Sequence, residues 1–232
     1  MKLAIMQPYW FPYIGYFQLI GSVDAFVVYD NIKYTKKGWI NRNRFLLNGS
    51  DAVFSLPLKK DSDALDIKER EVSEAFDRQQ FTGQITNAYR KAPHLPAVLG
   101  LLEETLAFED RNLFAFLHHS IITTCARLGI TTRIVTSSQI DCDHGLKAEE
   151  RVIAICKAMG ATQYINSIGG QELYSKEQFS TNGIELSFLK SRPIDYRQFS
   201  DPFVPWLSIL DVMAFNPLET INGFISSGYD LV

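Results

Sequence analysis

Short apolar runs at the start of the chain are separated by an aromatic segment, and this pattern predicts a strand, a loop, a helix and a second strand. Residues 3–6 and 25–29 are continuous apolar runs of strand length, and residues 14–20 have the pattern of a helix start. Continuous apolar strands joined by a helical crossover are typical of a parallel sheet that is covered on both faces. The sequence therefore predicts a β-α-β unit at the N-terminus.

Strand and helix patterns continue to alternate along the rest of the chain, which favours an α/β fold. Extended structure is expected over residues 44–58, with a hairpin turn at Asn48 and Gly49. Residues 69–106 have charged, helical sequence interrupted by two prolines, which predicts a helical insertion or lid. The further predicted elements are a helix capped by Asn112 and ended by Gly129, a strand at 132–136, a helix at 146–159 and a strand at 162–166. We expect a single α/β domain over residues 1–232, with a mostly parallel sheet and flanking helices.

The composition is that of an ordinary globular protein and does not indicate a particular activity. Hydrophobic residues make up 46% of the chain and charged residues 21%, and no apolar run reaches the ~18 residues of a membrane span. Prolines interrupt the N-terminal apolar stretch and no cleavage site follows it, so we expect a cytoplasmic protein without a signal peptide. Three widely spaced cysteines are expected to be reduced thiols. The net charge of −3 gives no reason to expect nucleic acid as a partner.

Four unusual loops follow predicted strands, and we expect them to face one cleft. They are residues 7–16, 30–43, 137–147 and 167–170. Ligands of open parallel sheets bind at the carboxyl ends of the strands, where such loops converge. The cleft is therefore the predicted ligand site.

The first of these loops is rich in aromatic residues and proline. Gln7 offers amide donors and an acceptor, and the tyrosines combine a flat face with a hydroxyl, so Gln7, Tyr9 and Tyr13 are candidates for binding a sugar or a base. The prolines stiffen the loop, as a preformed pocket wall requires. Two interpretations, pocket wall and ordinary core packing, remain open for Trp10, Phe11 and Phe17.

The segment around Trp39 combines aromatic, amide and basic residues. If it is extended, Trp39, Asn41 and Asn43 share one face, and Arg42 and Arg44 share the other. One face would then contact a ligand while the arginines meet phosphate; the alternative is a surface strand with solvated arginines.

Two further segments carry weaker signals. The segment from Ser167 to Gly170 lets the backbone approach a ligand closely, although two consecutive glycines are also a common turn. The segment from Asp141 to His144 contains metal-ligating residue types, but consecutive ligands diverge, so we expect no metal site and no cofactor. A Cys142 nucleophile activated by His144 is the other interpretation of that segment.

Five separated blocks resemble the WbqC-like family, and they occur in the same order over nearly the whole chain. They are MQPYWFPYIGYF at 6–17, WxNRN at 39–43, GLKxxERV at 145–152, GGxxxY at 169–174 and LSILD at 207–211. Members of this family tend to be encoded with genes for O-antigen and other surface glycans that contain amino sugars. The resemblance implies an enzyme of lipopolysaccharide or related biosynthesis that transfers an acyl or aminoacyl group to the amine of a nucleotide-linked amino sugar. An acyl-carrier or aminoacyl-carrier protein would supply the thioester donor.

The resemblance implies a set of site residues by motif position. They are Gln7, Tyr9, Tyr13, Tyr16, Asp30, Trp39, Asn41, Asn43, Lys147, Glu150, Arg151, Gly169, Gly170 and Asp211. Amide formation needs a base for the ammonium proton and donors for the tetrahedral oxyanion. We expect Glu150 or Asp30 as the base, with His118, His119 and His144 as competitors. The expected oxyanion donors are Gln7, Asn41 and the backbone near Gly169, the expected phosphate contacts are Lys147, Arg151 and Arg42, and Ser167 belongs to the same substrate-binding set.

A second likeness concerns the start of the first helix. A strand followed by Tyr13-Ile-Gly-Tyr16 is similar to the layout of nucleotidylyltransferases, in which two histidines hold these places. Tyrosine is a poor phosphate cation, so the fold can be shared while the site is repurposed. The alternatives to acyl transfer are therefore a nucleotidylyltransferase-like enzyme and a non-catalytic sugar-nucleotide-binding protein.

Overall fold

The computed structural model describes residues 1–232 and has an α/β fold. The strands are β1 (Lys2–Met6), β2 (Ala25–Val28), β3 (Arg42–Leu47), β4 (Ser50–Ser55), β5 (Arg133–Thr136), β6 (Gln163–Ser167), β7 (Glu185–Ser191) and β8 (Tyr229–Leu231). The α-helices are α1 (Ile14–Gly21), α2 (Arg78–Tyr89), α3 (Leu95–Leu106), α4 (Leu113–Arg127), α5 (Ala148–Ala158), α6 (Lys176–Thr181), α7 (Ile209–Phe215) and α8 (Leu218–Ser227). None of these helices combines the length and apolar composition that a membrane span needs.

Six of the strands form one sheet in the order β5-β2-β1-β6-β7-β8, and only β8 is antiparallel to its neighbour. The predicted fold class is confirmed. The chain adds β2 and β5 on one side of β1 and then crosses to add β6 on the other side. The topological switch point, where open sheets bind ligands, therefore lies between β1 and β6.

The two central strands separate toward that switch point. β1 pairs with β2 from Leu3 to Met6, whereas it pairs with β6 only at Lys2 and Leu3. The carboxyl ends of β1 and β6 are thus not joined by ladder hydrogen bonds. This separation opens the sheet at the edge where the predicted loops begin.

Alternating side chains of the central strands feed two cores, one on each face of the sheet. Leu3 and Ile5 pack with α5 and α6 in the smaller core, while Ala4 packs with α1, α4 and α8 in the larger one. The β3-β4 hairpin, α2, α3 and α7 all add to the larger core. These additions lie on one face only, and they support the loops that follow β1 and β2.

Local signals in the sequence account for several element boundaries. Asn48 and Gly49 form the two-residue turn of the β3-β4 hairpin with positive φ angles of 52° and 79°. The Asn112 side chain accepts a hydrogen bond from the Ala115 N–H and caps α4, as predicted. Gly129 and Gly160 follow their helices with φ angles of 70° and 68°, as expected of helix-ending glycines.

The prediction of an extended segment with two faces at Trp39 is wrong in part. β3 begins only at Arg42, and residues 36–41 form turns and bends. The ring of Trp39 lies on the arginine side, with the guanidinium carbons of Arg42 and Arg44 at 5.3 and 5.7 Å from its centroid. The period of two does not apply before Arg42 because the chain is not extended there.

Candidate functional site

The aromatic loop after β1 divides into core residues and surface residues. Trp10, Phe11 and Phe17 are fully buried, so the core interpretation is confirmed for these three. Tyr16 is also buried, and its hydroxyl donates to the carbonyl oxygen of Gln7 at 2.9 Å. Of the tyrosines in this loop, only Tyr9 and Tyr13 reach the surface.

Two distant segments hold the aromatic loop in an unusual backbone conformation. Phe11 has a φ of +41°, which is uncommon for a bulky residue and costs about 1–3 kcal/mol. The Asn43 side-chain amide donates to the carbonyls of Trp10 and Phe11 at 3.2 and 2.8 Å, and the Ser208 hydroxyl donates to the same Phe11 carbonyl at 2.7 Å. Asn43 and Ser208 are both buried. The loop is therefore fixed by residues from β3 and from the segment before α7.

A cavity of about 210 Å³ opens beside the fixed loop. We call it the aromatic cavity; it is lined by Tyr9, Tyr13, Trp39, Asn43, Arg44 and Trp206. Burial, with a smaller contribution from the neighbouring Tyr13, raises the pKa of Tyr9 to about 12, so its hydroxyl stays protonated at neutral pH. That hydroxyl makes no hydrogen bond within the protein and is not fully buried. It is free to donate and accept in the cavity.

The polar residues around the aromatic cavity are largely committed to the protein. The Asn41 side chain accepts from the Tyr34 hydroxyl and donates to the Leu56 carbonyl, which fixes the turn that carries Trp39. Arg42 donates to the carbonyls of Gly38 and Lys37 and has no carboxylate within 4 Å, so its positive charge is not neutralised.

A second cavity, of about 350 Å³, lies on the other side of Tyr13 and Trp206. We call it the apolar cavity. Tyr13 and Trp206 line both cavities, and their rings meet edge to face with centroids 6.1 Å apart. A Cβ at Gly15 would be 2.3 Å from the Tyr13 ring, so only glycine lets the ring take this position. Trp206 has a φ of +60° and remains half exposed.

The loops after β2 and β5 join in a polar cluster at the same edge of the sheet. A carboxylate oxygen of Asp30 accepts from the Ser137 hydroxyl at 2.7 Å and from the Ser138 N–H at 2.9 Å. Burial would raise the pKa of Asp30, but the hydrogen bonds from Ser138 and Ser137 outweigh it and lower the pKa below its ordinary value. Asp30 is a buried, held carboxylate and a weak base.

Asn31 connects this cluster to α5. The backbone carbonyl of Asn31 accepts from Arg151 at 3.1 Å, and its side-chain Nδ2 lies 3.2 Å from His144 Nδ1. The guanidinium of Arg151 also lies over the Tyr29 ring at 5.4 Å, and its Nε and one Nη are buried without a partner. The predicted residues Asp30, His144 and Arg151 are thus brought together.

Cys142, His144 and His118 are the candidates for a nucleophile and its base. His144 Nδ1 lies 3.9 Å from the sulfur of Cys142, and His144 Nε2 is 3.0 Å from the Ile140 carbonyl. Burial raises the pKa of Cys142, with Arg151 opposing, so the thiol is protonated at neutral pH. Burial also lowers the pKa of His118, whose Nε2 has no partner. No group of three His, Cys, Asp or Glu residues is placed to hold a metal ion.

The remaining predicted residues lie at other points of the carboxyl edge. Lys147 and Glu150 are exposed at the start of α5, and the Glu150 carboxylate makes no ion pair or hydrogen bond. The neighbouring Glu149 instead accepts from the Ser175 N–H. After β6, Gly169 is exposed and Gly170 is buried against the Asn166 amide, which stands 2.4 Å from where a Cβ would lie. His119 is stacked on Phe108, away from these loops.

Asp211 lies inside the protein rather than in a cavity. Its carboxylate is fully buried and accepts from Tyr89 at 2.9 Å, Tyr196 at 2.6 Å and Gln198 at 2.9 Å. Burial raises the pKa of Asp211 despite these three bonds. Because Tyr196 and Gln198 belong to the segment that encloses the apolar cavity, Asp211 fixes that segment to α7.

Comparison with known proteins now identifies the family. The model of the WbqC-like protein family matches residues 7–222, which is nearly the whole chain. The chain belongs to the WbqC-like family. It is also similar to the uncharacterized protein Rv1507c of Mycobacterium tuberculosis, with 27% identity over 215 residues that cover 91% of this chain and 92% of that protein. No solved structure matches the chain significantly.

In this WbqC-like protein, the blocks at 6–17, 39–43 and 207–211 meet around the aromatic loop. Sequence reasoning missed Trp206 and Ser208 as parts of this arrangement. The signal for Trp206 was present, because residues 201–206 repeat the proline and aromatic composition of the opening loop. The signal for Ser208 was its place in the last block, where only Asp211 was singled out.

Proposed function

We propose that this protein transfers an acyl or aminoacyl group to the amine of a nucleotide-linked amino sugar in surface-glycan biosynthesis. The aromatic cavity beside the switch point of a parallel sheet carries the proposal. Membership of the WbqC-like family is consistent with a biosynthetic enzyme. The reaction would take place in the cytoplasm.

The lining of the aromatic cavity suits a sugar joined to a nucleotide. Tyr9, Trp39 and Trp206 present flat apolar surfaces, and the Tyr9 hydroxyl is free to bind a sugar hydroxyl. The charge of Arg42, which no carboxylate neutralises, is available to a diphosphate. A cavity of about 210 Å³ holds a single ring, so the rest of the nucleotide would extend along the carboxyl edge.

The proposed reaction joins the sugar amine to the carbonyl carbon of a carrier-bound thioester. A C–N bond forms and the C–S bond breaks. One proton leaves the attacking amine, and the carrier leaves as its thiol after taking up a proton. The reaction therefore needs an accessible side chain that can accept the proton of the amine.

Glu150 is the proposed base; it lines neither cavity, so this role requires the bound sugar amine to come within reach of the start of α5. Its carboxylate is exposed and unbonded, whereas the carboxylates of Asp30 and Asp211 are enclosed by donors. Glu150→Gln should lower kcat by about 10²-fold or more with little change in KM. Glu149→Gln is the matched control, because the neighbouring carboxylate is already bound to the Ser175 N–H. Equal kcat values for the two variants would remove Glu150 from this role.

The first test of the proposed function is ligand binding by thermal shift. UDP- and dTDP-linked amino sugars should raise the melting temperature more than their hydroxyl counterparts do, because a ligand that binds only the folded state stabilises it. Tyr9→Phe removes one hydroxyl and should weaken binding about 3- to 10-fold. Absence of any shift with every nucleotide-linked sugar would refute the proposal.

The position of Tyr16, the second tyrosine of the Tyr13-Ile-Gly-Tyr16 segment, does not support the nucleotidylyltransferase alternative. Tyr16 is 2% exposed, and its hydroxyl is bound to the Gln7 carbonyl, so it does not face a phosphate. A thermal shift with a nucleoside triphosphate and Mg²⁺ alone, followed by pyrophosphate release, would favour that alternative. Sugar-nucleotide binding without turnover across several thioester donors would favour a binding protein.

A further inference from the structure

We infer that the apolar cavity binds the acyl chain of the donor, and that this chain is an apolar one of about six to eight carbon atoms. The inference rests on the proposed function, which supplies the reaction, while the lining residues and volume of the cavity are observed independently of it. It names the class of donor that the site would select.

The chemistry of the cavity walls is that of a site for an apolar group. Eight of its thirteen lining residues are hydrophobic, among them Ile14, Ile194, Phe203, Leu207 and Val212. Pockets that bind small molecules have mainly apolar walls with a few polar groups at their edges. The polar groups here are Ser191 and Arg192, which precede the apolar residues of this segment, and Asp195, which lies between Ile194 and Tyr196.

The volume of the cavity sets the length of the chain. At about 30 Å³ for one water-sized group, 350 Å³ corresponds to roughly twelve such groups. A thioester carbonyl and an acyl chain of six to eight carbons would use most of that space. Acetyl or glycyl would leave most of it empty, and a dodecanoyl chain would not fit.

The position of the cavity relates the chain to the proposed acceptor. Tyr13 and Trp206 form the partition between the two cavities, with ring centroids 6.1 Å apart. An acyl chain bound with its carbonyl end at this partition would therefore be close to a sugar in the aromatic cavity. Such proximity is what a direct acyl transfer requires.

The wall of the cavity is held in place before any ligand binds. Tyr196 lines the cavity and donates to Asp211, while Gln198 is bound to Asp211 and to both backbone groups of Val204. The segment 192–206 has no regular secondary structure, and these bonds fix its course. A preorganised wall lowers the entropy lost on binding.

The test uses S-acyl pantetheine thioesters as probes and calorimetry as the readout. Affinity should rise at least tenfold from acetyl to hexanoyl, because hexanoyl adds four methylenes and full burial of each is worth about fourfold, and it should fall again at dodecanoyl. Ile194→Trp, which fills the cavity from the wall formed by residues 192–206, should abolish the gain from acetyl to hexanoyl. Trp39→Ala, which changes only the aromatic cavity, should leave that gain unchanged.

A photoreactive octanoyl pantetheine gives a measurement that does not depend on a variant folding. Crosslinks from a diazirine at the end of the chain should map to Ile194, Phe203 or Val212 in the wild-type protein. Crosslinks elsewhere, or equal affinities for acetyl and hexanoyl probes, would overturn the inference.

The outcomes also separate this inference from the proposed function. Chain-length selection without any binding of an amino-sugar nucleotide would support the acyl site and refute the proposed acceptor. Transfer to the amino sugar at equal rates from acetyl and hexanoyl donors, unaffected by Ile194→Trp, would support the proposed function and refute the acyl site.

Discussion

The Phe11 carbonyl accepts hydrogen bonds from both Asn43 and Ser208, and we expect these two residues to contribute to stability in a coupled way. Asn43→Ala leaves the buried Trp10 carbonyl without a donor, which should lower the free energy of unfolding by about 1–3 kcal/mol. Ser208→Ala removes the cap on the Leu210 N–H and should cost about 0.5–2 kcal/mol. In either single variant, the Phe11 carbonyl keeps one of its two donors.

Only the double variant leaves the Phe11 carbonyl with no donor. Its loss of stability should therefore exceed the sum of the single losses by about 1–3 kcal/mol. Urea unfolding followed by tryptophan fluorescence and circular dichroism measures all three values. Ser55→Ala is the control, since this serine is exposed and its hydroxyl is unbonded, and it should change stability by less than about 0.5 kcal/mol.

A coupling energy within about 0.5 kcal/mol of zero would refute this reasoning. It would mean that the Phe11 carbonyl finds water or another donor when either partner is removed. The positive φ of Phe11 would then be maintained by ring packing alone. A coupling of the expected size would also predict weaker ligand binding in the double variant, because the Tyr9 and Tyr13 rings depend on this loop.

Three other predictions test the description of the site and the core. Gly15→Ala should displace the Tyr13 ring and cost about 1–3 kcal/mol in thermal unfolding. Gly83→Ala in α2 should instead stabilise by about 0.5–1 kcal/mol, because a Cβ added at Gly83 meets no atom within 4 Å. Burial raises the pKa of Asp211 in the folded protein, so its contribution to stability is greatest below the ordinary value of 3.8 and is lost as pH rises through the folded pKa. Unfolding curves at several pH values should show this loss in the wild type and not in Asp211→Asn, and parallel pH profiles would contradict it. Cys142 should be the first of the three thiols to react with a maleimide in the native protein, because burial raises the pKa of the other two to about 12; mass spectrometry that finds either of those labelled first would contradict it.

Much of the sheet could be predicted because its strands are buried on both faces. β1 and β2 are continuous apolar runs, and the hairpin turn at Asn48 and Gly49 has a local cause in backbone conformation. The α4 cap at Asn112 is equally local. Such signals need no knowledge of the rest of the molecule.

The parts that could not be predicted depend on contacts between distant segments. The side chain of Trp39 turns toward the arginines because Asn41 and Arg42 bind backbone carbonyls and curl the chain before β3. Trp206 is a cavity wall because its ring meets the ring of Tyr13, a residue 193 positions earlier in the sequence. Asp211 has the residue type of a ligand contact, and only its burial shows that it supports the wall instead.

The junction at Phe11 has a consequence for how the protein is made. Its two hydrogen-bonding partners are 32 and 197 residues away along the chain, so one bond spans most of the polypeptide. Contacts of such long sequence separation form late because the intervening chain must first be ordered. A ribosome that is still adding residues beyond 200 carries a nascent chain whose aromatic loop has been synthesised but has not yet met Ser208. The junction at Phe11 is therefore completed only after residue 208 has been synthesised, whereas the Trp10 and Phe11 rings have earlier partners in Phe81 and Phe116.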